Sequence, residues 1–185
     1  EKIRNKYPEK PIGLLVYFNL ALQYGLENFF ARCDAVGVDS VILPELPVES
    51  VEISDPKNQE SDSIIEMARK YNVHLTFLVS TNTPEDRLQK ILSYASGFLY
   101  AISKPSLTGA KTKLSQETVK MVLKLKQQTD TPVCVGFGIS EPDQIKELTE
   151  NKADGCIIGS KLYEFKDDLK AMSEFCEECK KASKV

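Results

Sequence analysis

The chain has 185 residues, which is enough for one substantial domain. Hydrophobic residues make up 42% and charged residues 28%, a balance typical of globular domains. The net charge of −3 leaves no basic surplus for binding a phosphate backbone, and no apolar run reaches the roughly 18 residues of a membrane span. We therefore expect neither nucleic-acid binding nor membrane insertion.

Six short apolar segments predict buried strands, because they are rich in β-branched or aromatic residues and alternate with helical patterns. The predicted strands are Ile12–Tyr17, Ser40–Leu43, His74–Val79, Phe98–Ile102, Val133–Val135 and Gly155–Ile158. The alternation of strand and helix indicates a parallel sheet.

The first helical pattern places apolar residues on one face and ends before Gly37, which is predicted to form the C-terminal cap because glycine tolerates a left-handed backbone. Its apolar face consists of Leu26, Phe29, Phe30, Cys33 and Val36. Three later helices are predicted to begin at polar N-caps, which are Thr83, Ser115 and Ser140.

Length favours a closed barrel over an open doubly wound sheet. Eight β/α units take about 250 residues in a (β/α)8 TIM barrel, so six take roughly 190. We therefore predict an α/β fold in which residues 1–185 form a single, partial TIM-barrel domain. They would supply the last six β/α units, with the first two absent. The polar segment 47–61 is predicted to be a surface loop insertion.

Cysteine usage predicts an intracellular protein without a disulfide framework. Five cysteines is an odd number, and Cys33, Cys134 and Cys156 lie in apolar patterns typical of small core residues. Cys176 and Cys179 form a C-x-x-C pair within a Lys/Glu-rich helical pattern rather than after a strand. Since His74 is the only histidine, we predict no metal site.

Glycines at strand ends predict a phosphate site. In a barrel, ligands bind at the carboxyl ends of strands, and the last two strands commonly build a phosphate site. Gly138 and Gly159 follow those strands, Ser160 adds a hydroxyl, and Gly109 lies in the loop after the preceding strand. Backbone N–H groups can approach an anion closely where no Cβ intervenes. The same glycines could instead serve only to make tight turns.

Apolar side chains beside these glycines indicate a flat apolar substrate with a short phosphate tail. They are Leu15, Tyr100, Phe137 and Ile157. Acid–base groups are scarce, because Glu45 is the only carboxylate at a predicted strand end and His74 lies at the opposite end of its strand. We therefore predict no catalytic residue within this chain.

Five segments resemble the tryptophan synthase alpha chain family in order and spacing. They are PIGLLVYFN (11–19), VGVDSVILPELPVE (36–49), SKPSLTGA (103–110), GFGIS (136–140) and IIGS (157–160). The resemblance implies a (β/α)8 barrel that cleaves indole-3-glycerol phosphate to indole and glyceraldehyde 3-phosphate without a cofactor. It also implies a beta-chain partner, which carries pyridoxal phosphate, and a cytoplasmic location, or a plastid one in a plant or alga.

The resemblance further implies roles for individual residues. Gly109, Gly138, Gly159 and Ser160 would bind phosphate, and Thr108 would belong to a closing loop. The indole pocket would be lined by Leu15, Ile42, Tyr100, Phe137 and Ile157. Tyr17, Asn19 and Pro47 would lie near the face toward the beta chain.

The sequence also departs from the family pattern. The family's catalytic Glu and Asp lie in an upstream region that this chain does not contain, so we expect the fragment alone to be inactive. Glu45 stands where the family usually has Asp, and Lys104 stands where an Arg is common. Two other functions remain open. One is a different phosphate-binding barrel enzyme, such as a sugar-phosphate isomerase, epimerase or synthase, and the other is a degenerate subunit that binds a partner without catalysis.

Overall fold

The computed structural model describes residues 1–54, 62–103 and 114–184, which form parallel strands and surrounding helices. The strands are β1 (Gly13–Leu15), β2 (Ser40–Ile42), β3 (His74–Thr76), β4 (Leu78–Ser80), β5 (Leu99–Ile102), β6 (Val133–Gly136) and β7 (Gly155–Ile157). Every predicted strand segment is found. The segment His74–Val79 differs from the prediction, because Phe77 divides it into two strands.

Helices lie between the strands. They are α1 (Lys2–Lys6), α2 (Phe18–Tyr24), α3 (Leu26–Ala35), α4 (Ile64–Lys70), α5 (Glu85–Tyr94), α6 (Gln116–Gln128), α7 (Pro142–Glu150), α8 (Ser160–Glu164) and α9 (Leu169–Ala182). Over the part of the chain that the structure describes, no helix has both the length and the apolar character needed to cross a membrane.

The chain divides into two compact units. The first comprises residues 1–77 and 84–97 and contains a parallel sheet of order β1-β2-β3. The second comprises residues 78–83 and 98–185 and contains a parallel sheet of order β4-β5-β6-β7. Both sheets have the uniform parallel pairing that the alternation of strands and helices predicts.

Each unit has its own apolar core, to which strand and helix residues contribute. In the first unit the core includes Val41 of β2 and one face of α3, where Leu26, Phe30 and Cys33 are buried as the spacing predicts. In the second unit, the buried strand residues include Leu99, Val133 and Val135. Parallel strands pack on both faces, which explains why their sequences read as nearly continuous apolar runs.

The predicted helix caps are confirmed at some positions and wrong at others. Ser115 caps α6, since its hydroxyl accepts a hydrogen bond from the N–H of Thr118 at 3.1 Å. Gly37 adopts the expected left-handed backbone after α3, with φ of 74°. Thr83 does not cap α5, because its hydroxyl instead accepts the N–H of Ser80 at 3.0 Å. Ser140 lies one residue before Glu141, the true N-cap of α7.

The segment 47–61 differs from a purely exposed insertion. It begins with a 3₁₀ turn at Val48–Ser50, and Val48 and Val51 are both buried in the first unit. Glu49 contacts Arg87 of α5, and Glu52 accepts a hydrogen bond from the Tyr94 hydroxyl of the same helix. Two valines spaced three residues apart therefore anchor this turn, while residues 55–61 lie outside the described part of the chain.

Candidate functional site

The predicted phosphate-binding glycines follow two neighbouring strands of the second unit. β6 pairs with β7 so that Gly136 lies opposite Ile157, and Gly138 and Gly159 each come two residues later. Both glycines therefore leave the sheet at the same edge and at corresponding positions. Ser160 is the first residue of α8. Gly109 and Thr108, predicted to complete this site and its closing loop, lie outside the described residues.

The two glycines differ in their surroundings. Gly138 has a left-handed backbone with φ of 70°, and Phe137 before it has φ of 68°, which is costly for a residue with a side chain. Gly159 has an ordinary φ of −117°, and a Cβ added there would meet no atom within 4 Å. The fold itself therefore does not require glycine at position 159.

An aromatic pair lies beside these strand ends. Tyr100 on β5 is buried, with 6% of its surface exposed, whereas Phe137 is 56% exposed. The two ring centroids are 5.7 Å apart and the rings are inclined by 57°. Burial raises the pKa of the Tyr100 hydroxyl above its ordinary value. The second unit thus combines open backbone N–H groups with an exposed aromatic surface.

The remaining predicted pocket residues are placed as follows. Leu15 and Ile42 pair in register across β1 and β2 in the first unit; Ile42 is buried, whereas Leu15 is exposed. Ile157 is half-buried on β7 in the second unit. The structure therefore brings Leu15 together with Ile42, and Tyr100 together with Phe137, each pair within its own unit.

Glu45, the one carboxylate predicted at a strand end, serves as a helix cap. Its Oε2 accepts a hydrogen bond from the N–H of Phe18 at 3.0 Å, which is the first residue of α2. The N-cap residue Tyr17 supplies no side-chain cap of its own, so Glu45 satisfies this orphan donor from another part of the chain. On α2, Tyr17, Leu20 and Tyr24 form an exposed apolar stripe.

The cysteines fit the sequence prediction in part. Cys33 is buried, but Cys134 and Cys156 are only half-buried and so are not the full core residues that their apolar neighbours suggested. Burial raises the pKa of the thiols of Cys33, Cys134 and Cys156, the last to about 11. Cys176 and Cys179 both lie within α9, as their setting in the sequence predicted.

The loop of residues 137–141 between β6 and α7 contains Gly138 and is called the glycine loop below. The sequence analysis missed two polar residues beside it. Ser103, at the end of β5, donates from its N–H to the Gly136 carbonyl at 2.9 Å and from its hydroxyl to the Phe137 carbonyl. Gln144 of α7 makes three hydrogen bonds to the same loop. The signal for Gln144 was available, since a Gln at the third helical position commonly reaches back to the N-cap backbone.

Comparison with known proteins places the chain in one family. A family model described as tryptophan synthase alpha chain matches residues 1–184. The tryptophan synthase alpha chain of Methanocaldococcus jannaschii is 40% identical over 162 residues, which are 88% of this chain and 54% of that protein. The alpha chain of Vibrio vulnificus is 37% identical over 159 residues, covering 86% of this chain and 56% of the relative.

Solved structures give the same result. The tryptophan synthase alpha chain of Legionella pneumophila is 28% identical, with a TM-score of 0.79 over 98% of this chain and 66% of that one. A chain from the a2b2 complex of Pyrococcus furiosus tryptophan synthase is 26% identical, with a TM-score of 0.81 over 98% of this chain and 70% of that one. These similarities confirm the predicted α/β class and (β/α)8 barrel type.

The chain spans about half the length of the curated relatives it matches, and nearly all of its own length is matched. The segments that carry the resemblance include the strand ends and the glycine loop described above. The chain therefore belongs to the tryptophan synthase alpha chain family.

Proposed function

We propose that this chain provides the phosphate-binding half of a lyase that cleaves indole-3-glycerol phosphate to indole and glyceraldehyde 3-phosphate. The observation that carries the proposal is the placement of Gly138 and Gly159 at equivalent positions after neighbouring strands, beside the Tyr100–Phe137 aromatic pair. Phosphate and a flat aromatic ring are the two ends of this substrate, so one sheet edge offers a contact for each.

The proposed contacts divide the substrate into its two ends. The phosphate accepts hydrogen bonds from the backbone N–H groups of Gly109, Gly138 and Gly159 and from Ser160. The indole ring packs against Phe137 and Tyr100, with Ile157 on the same sheet. Leu15 and Ile42, which the resemblance also assigns to the indole pocket, lie in the other unit. The role in a closing loop that the resemblance assigns to Thr108 stays a prediction, because this residue lies outside the described part of the chain.

The cleavage itself needs groups beyond this chain. The bond between indole C3 and the glycerol chain breaks, a proton is added to C3, and a proton leaves the adjacent hydroxyl as it becomes the aldehyde. Acid–base groups must supply both transfers. The family resemblance assigns them to an upstream Glu and Asp, and Glu45 is engaged as the cap of α2. We therefore expect no useful turnover by the 185 residues alone.

The proposed partner is a tryptophan synthase beta chain, which would carry pyridoxal phosphate, while this chain itself needs no cofactor. Support comes from the Pyrococcus furiosus relative, whose structure is that of a tryptophan synthase a2b2 complex. The exposed stripe of Tyr17, Leu20 and Tyr24 on α2 offers apolar area for such a partner, with Asn19 and Pro47 nearby in the proposed interface. A cytoplasmic site, or a plastid in a plant or alga, fits this role.

The test compares the chain alone with a chain extended at its N-terminus by the upstream region of a family relative, each mixed with a beta chain. We expect indole from indole-3-glycerol phosphate only with the extended chain, and tighter binding of this substrate than of simple sugar phosphates. Tighter binding of a sugar phosphate would favour an isomerase, epimerase or synthase instead.

A second candidate function is activation of a partner without catalysis. The use of Glu45 as a helix cap favours it, because the strand ends in residues 1–54, 62–103 and 114–184 then offer no free carboxylate pair. Under this alternative, the extended chain would stimulate the beta chain while producing no indole.

A further inference from the structure

Gln144 is a buried polar residue whose side chain is used entirely on the glycine loop. Only 4% of its surface is exposed, and it is the third residue of α7. Its Oε1 accepts the N–H groups of Ser140 at 2.8 Å and Glu141 at 3.1 Å. Its Nε2 donates to the Gly138 carbonyl at 3.2 Å. One amide thus ties the start of α7 to the loop that precedes it.

Ser103 holds the same loop from the end of β5. Only 7% of its surface is exposed, and its hydroxyl donates to the Phe137 carbonyl. Two successive carbonyl groups of the loop, those of Phe137 and Gly138, are therefore each bound by a buried side chain. These two side chains come from different elements of the second unit and act on adjacent peptide planes.

Fixing these carbonyls also fixes the direction of two N–H groups. A trans peptide is planar and its C=O and N–H point in opposite directions. When the carbonyls of Phe137 and Gly138 point toward buried side chains, the N–H groups of Gly138 and Ile139 point the other way. Within the described ranges, neither N–H has a hydrogen-bond acceptor. Two backbone donors on adjacent peptides are the kind of groups that bind an anion in proteins.

We propose that Gln144 and Ser103 are positioning residues that orient the N–H groups of Gly138 and Ile139 toward the substrate phosphate. The proposal rests on the proposed function for the presence of a phosphate there. It adds that the loop is held before the ligand arrives, so the left-handed backbone at Phe137 and Gly138 is maintained by side-chain hydrogen bonds rather than by phosphate.

The first test replaces Gln144 with methionine, which has similar length and removes all three hydrogen bonds. We expect the affinity of the chain for glycerol 3-phosphate to fall about tenfold. The N–H donors would lose their fixed orientation, and the loss corresponds to the net free energy of about one hydrogen bond. Hydrogen exchange at the Ser140 and Glu141 amides, which lose their acceptor, should accelerate when followed by NMR without ligand.

The second test uses Gln144→Glu, which separates positioning from stability. The carboxylate still accepts from Ser140 and Glu141, which keeps the cap of α7. It is buried and its second oxygen faces the Gly138 carbonyl, so thermal denaturation is measured as well, and affinities are compared at a temperature where both proteins are fully folded. The carboxylate cannot donate to the Gly138 carbonyl, so we expect phosphate affinity to fall by about tenfold or more. A residue with only a structural role would not weaken binding while stability holds.

Lys146→Gln is the matched control for charge. It changes the net charge of α7 by the same amount, and Lys146 is exposed on the same helix. We expect it to leave affinity for glycerol 3-phosphate nearly unchanged. A loss equal to that of Gln144→Glu would overturn the proposal, because charge alone would then explain the effect. Ser103→Ala should weaken binding in the same direction as Gln144→Met.

The outcomes separate this proposal from the proposed function. If the wild type, Gln144→Met and Gln144→Glu all bind glycerol 3-phosphate with the same affinity, the positioning role is overturned and the phosphate site remains. Absence of phosphate binding to the wild type would overturn the proposed function. Accelerated exchange at Ser140 and Glu141 in Gln144→Met would in that case still show that Gln144 holds the loop.

Discussion

At the scale of single residues, Gly136 is required by its neighbour on the adjacent strand. A Cβ built at this position would overlap the hydroxyl group of Tyr100. We expect Gly136→Ala to displace the Tyr100 ring and to lower the free energy of unfolding by about 1–3 kcal/mol, the usual cost of overpacking. Urea denaturation checks this, and an unchanged midpoint would mean that the ring moves without cost.

Gly159 gives the opposite expectation. A Cβ there would lie in open space, and its backbone φ of −117° suits any residue. Gly159→Ala should therefore leave the free energy of unfolding within about 0.5 kcal/mol of the wild type. Affinity for glycerol 3-phosphate, measured by calorimetric titration, should nevertheless fall, because the new methyl group would occupy the space of the ligand. Unchanged affinity would remove Gly159 from the proposed phosphate site.

The cysteines provide a prediction about pH. Burial raises the pKa of Cys156 to about 11, so at pH 8 only about one molecule in a thousand carries its thiolate. Alkylation of Cys156 by iodoacetamide, followed by mass spectrometry, should be slow at pH 8 and accelerate about tenfold per pH unit up to pH 10. The exposed Cys176 should react first. Equal rates at all five cysteines in the native protein would contradict this ordering.

The same raised pKa has a consequence for stability. The unfolded thiol loses its proton at lower pH than the folded one, so between these two pKa values the folded state binds more protons. The free energy of unfolding should therefore fall as the pH rises through roughly 9 to 11, and the stability contributed by the neutral thiol should be fully present below that range. Cys156→Ser should flatten this alkaline decline.

At the scale of elements, two strands begin with the same side-chain device. Asp39 precedes β2 and its Oδ2 accepts the N–H of Ile12 at 2.6 Å and a hydrogen bond from Arg4. Asp154 precedes β7 and accepts the N–H of Val133 at 2.7 Å and the ammonium of Lys126 at 2.8 Å. In each unit an aspartate therefore joins the starts of two paired strands to a basic residue on a helix.

Removal of either aspartate should loosen the start of its strand pair. We expect Asp154→Ala to lower the free energy of unfolding by about 1–3 kcal/mol, because the N–H of Val133 loses its acceptor. Guanidinium denaturation measures the change. Asp130→Ala is the matched control, since Asp130 is exposed just before β6. A comparable loss in that variant would mean that the hydrogen bond to Val133 contributes little.

Helix ends show which local signals suffice for prediction. Ser115 was predicted as a cap because a polar residue precedes an amphipathic run, and the structure agrees. Thr83 is also a polar residue before an amphipathic run, but in the tight turn after β4 its hydroxyl accepts the N–H of Ser80 instead. Ser63 and Glu66 form a capping box at α4 that the sequence analysis missed, because the polar residues before it were assigned to a loop. Competition between neighbouring polar side chains decides such cases.

At the scale of the whole molecule, the order of strands and helices was predictable and the fine structure of the site was not. Apolar runs between helical patterns identified every strand segment, since burial on both faces leaves a strong compositional signal. The division of one predicted strand at Phe77 has no such compositional signal in the sequence. The hydrogen bonds of Ser103 to the Phe137 carbonyl and of Gln144 to the Gly138 carbonyl also lie beyond pattern analysis, because they join residues 34 and 6 positions apart. Only the bond of Gln144 to the N-cap residue Glu141 follows from its position in the helix.

The edges of the two sheets suggest how the chain behaves on its own. Among the residues described, β1 and β3 are the edge strands of one sheet, and β4 and β7 are those of the other. Leu15 on β1 is 59% exposed. Unpaired edge strands offer free N–H and C=O groups that readily pair with another chain. We therefore expect the 185-residue chain alone to associate with itself as its concentration rises.

A charge placed on the β1 edge should reduce this association. Leu15→Lys puts an ammonium group where a second strand would dock, which is how natural edge strands avoid pairing, so sedimentation velocity should show less oligomer at a given concentration. Leu169→Lys is the matched control, because Leu169 is 75% exposed but lies at the start of α9. Equal reduction by both variants would point to general apolar adhesion, whereas a reduction confined to Leu15→Lys would identify the open strand as the cause.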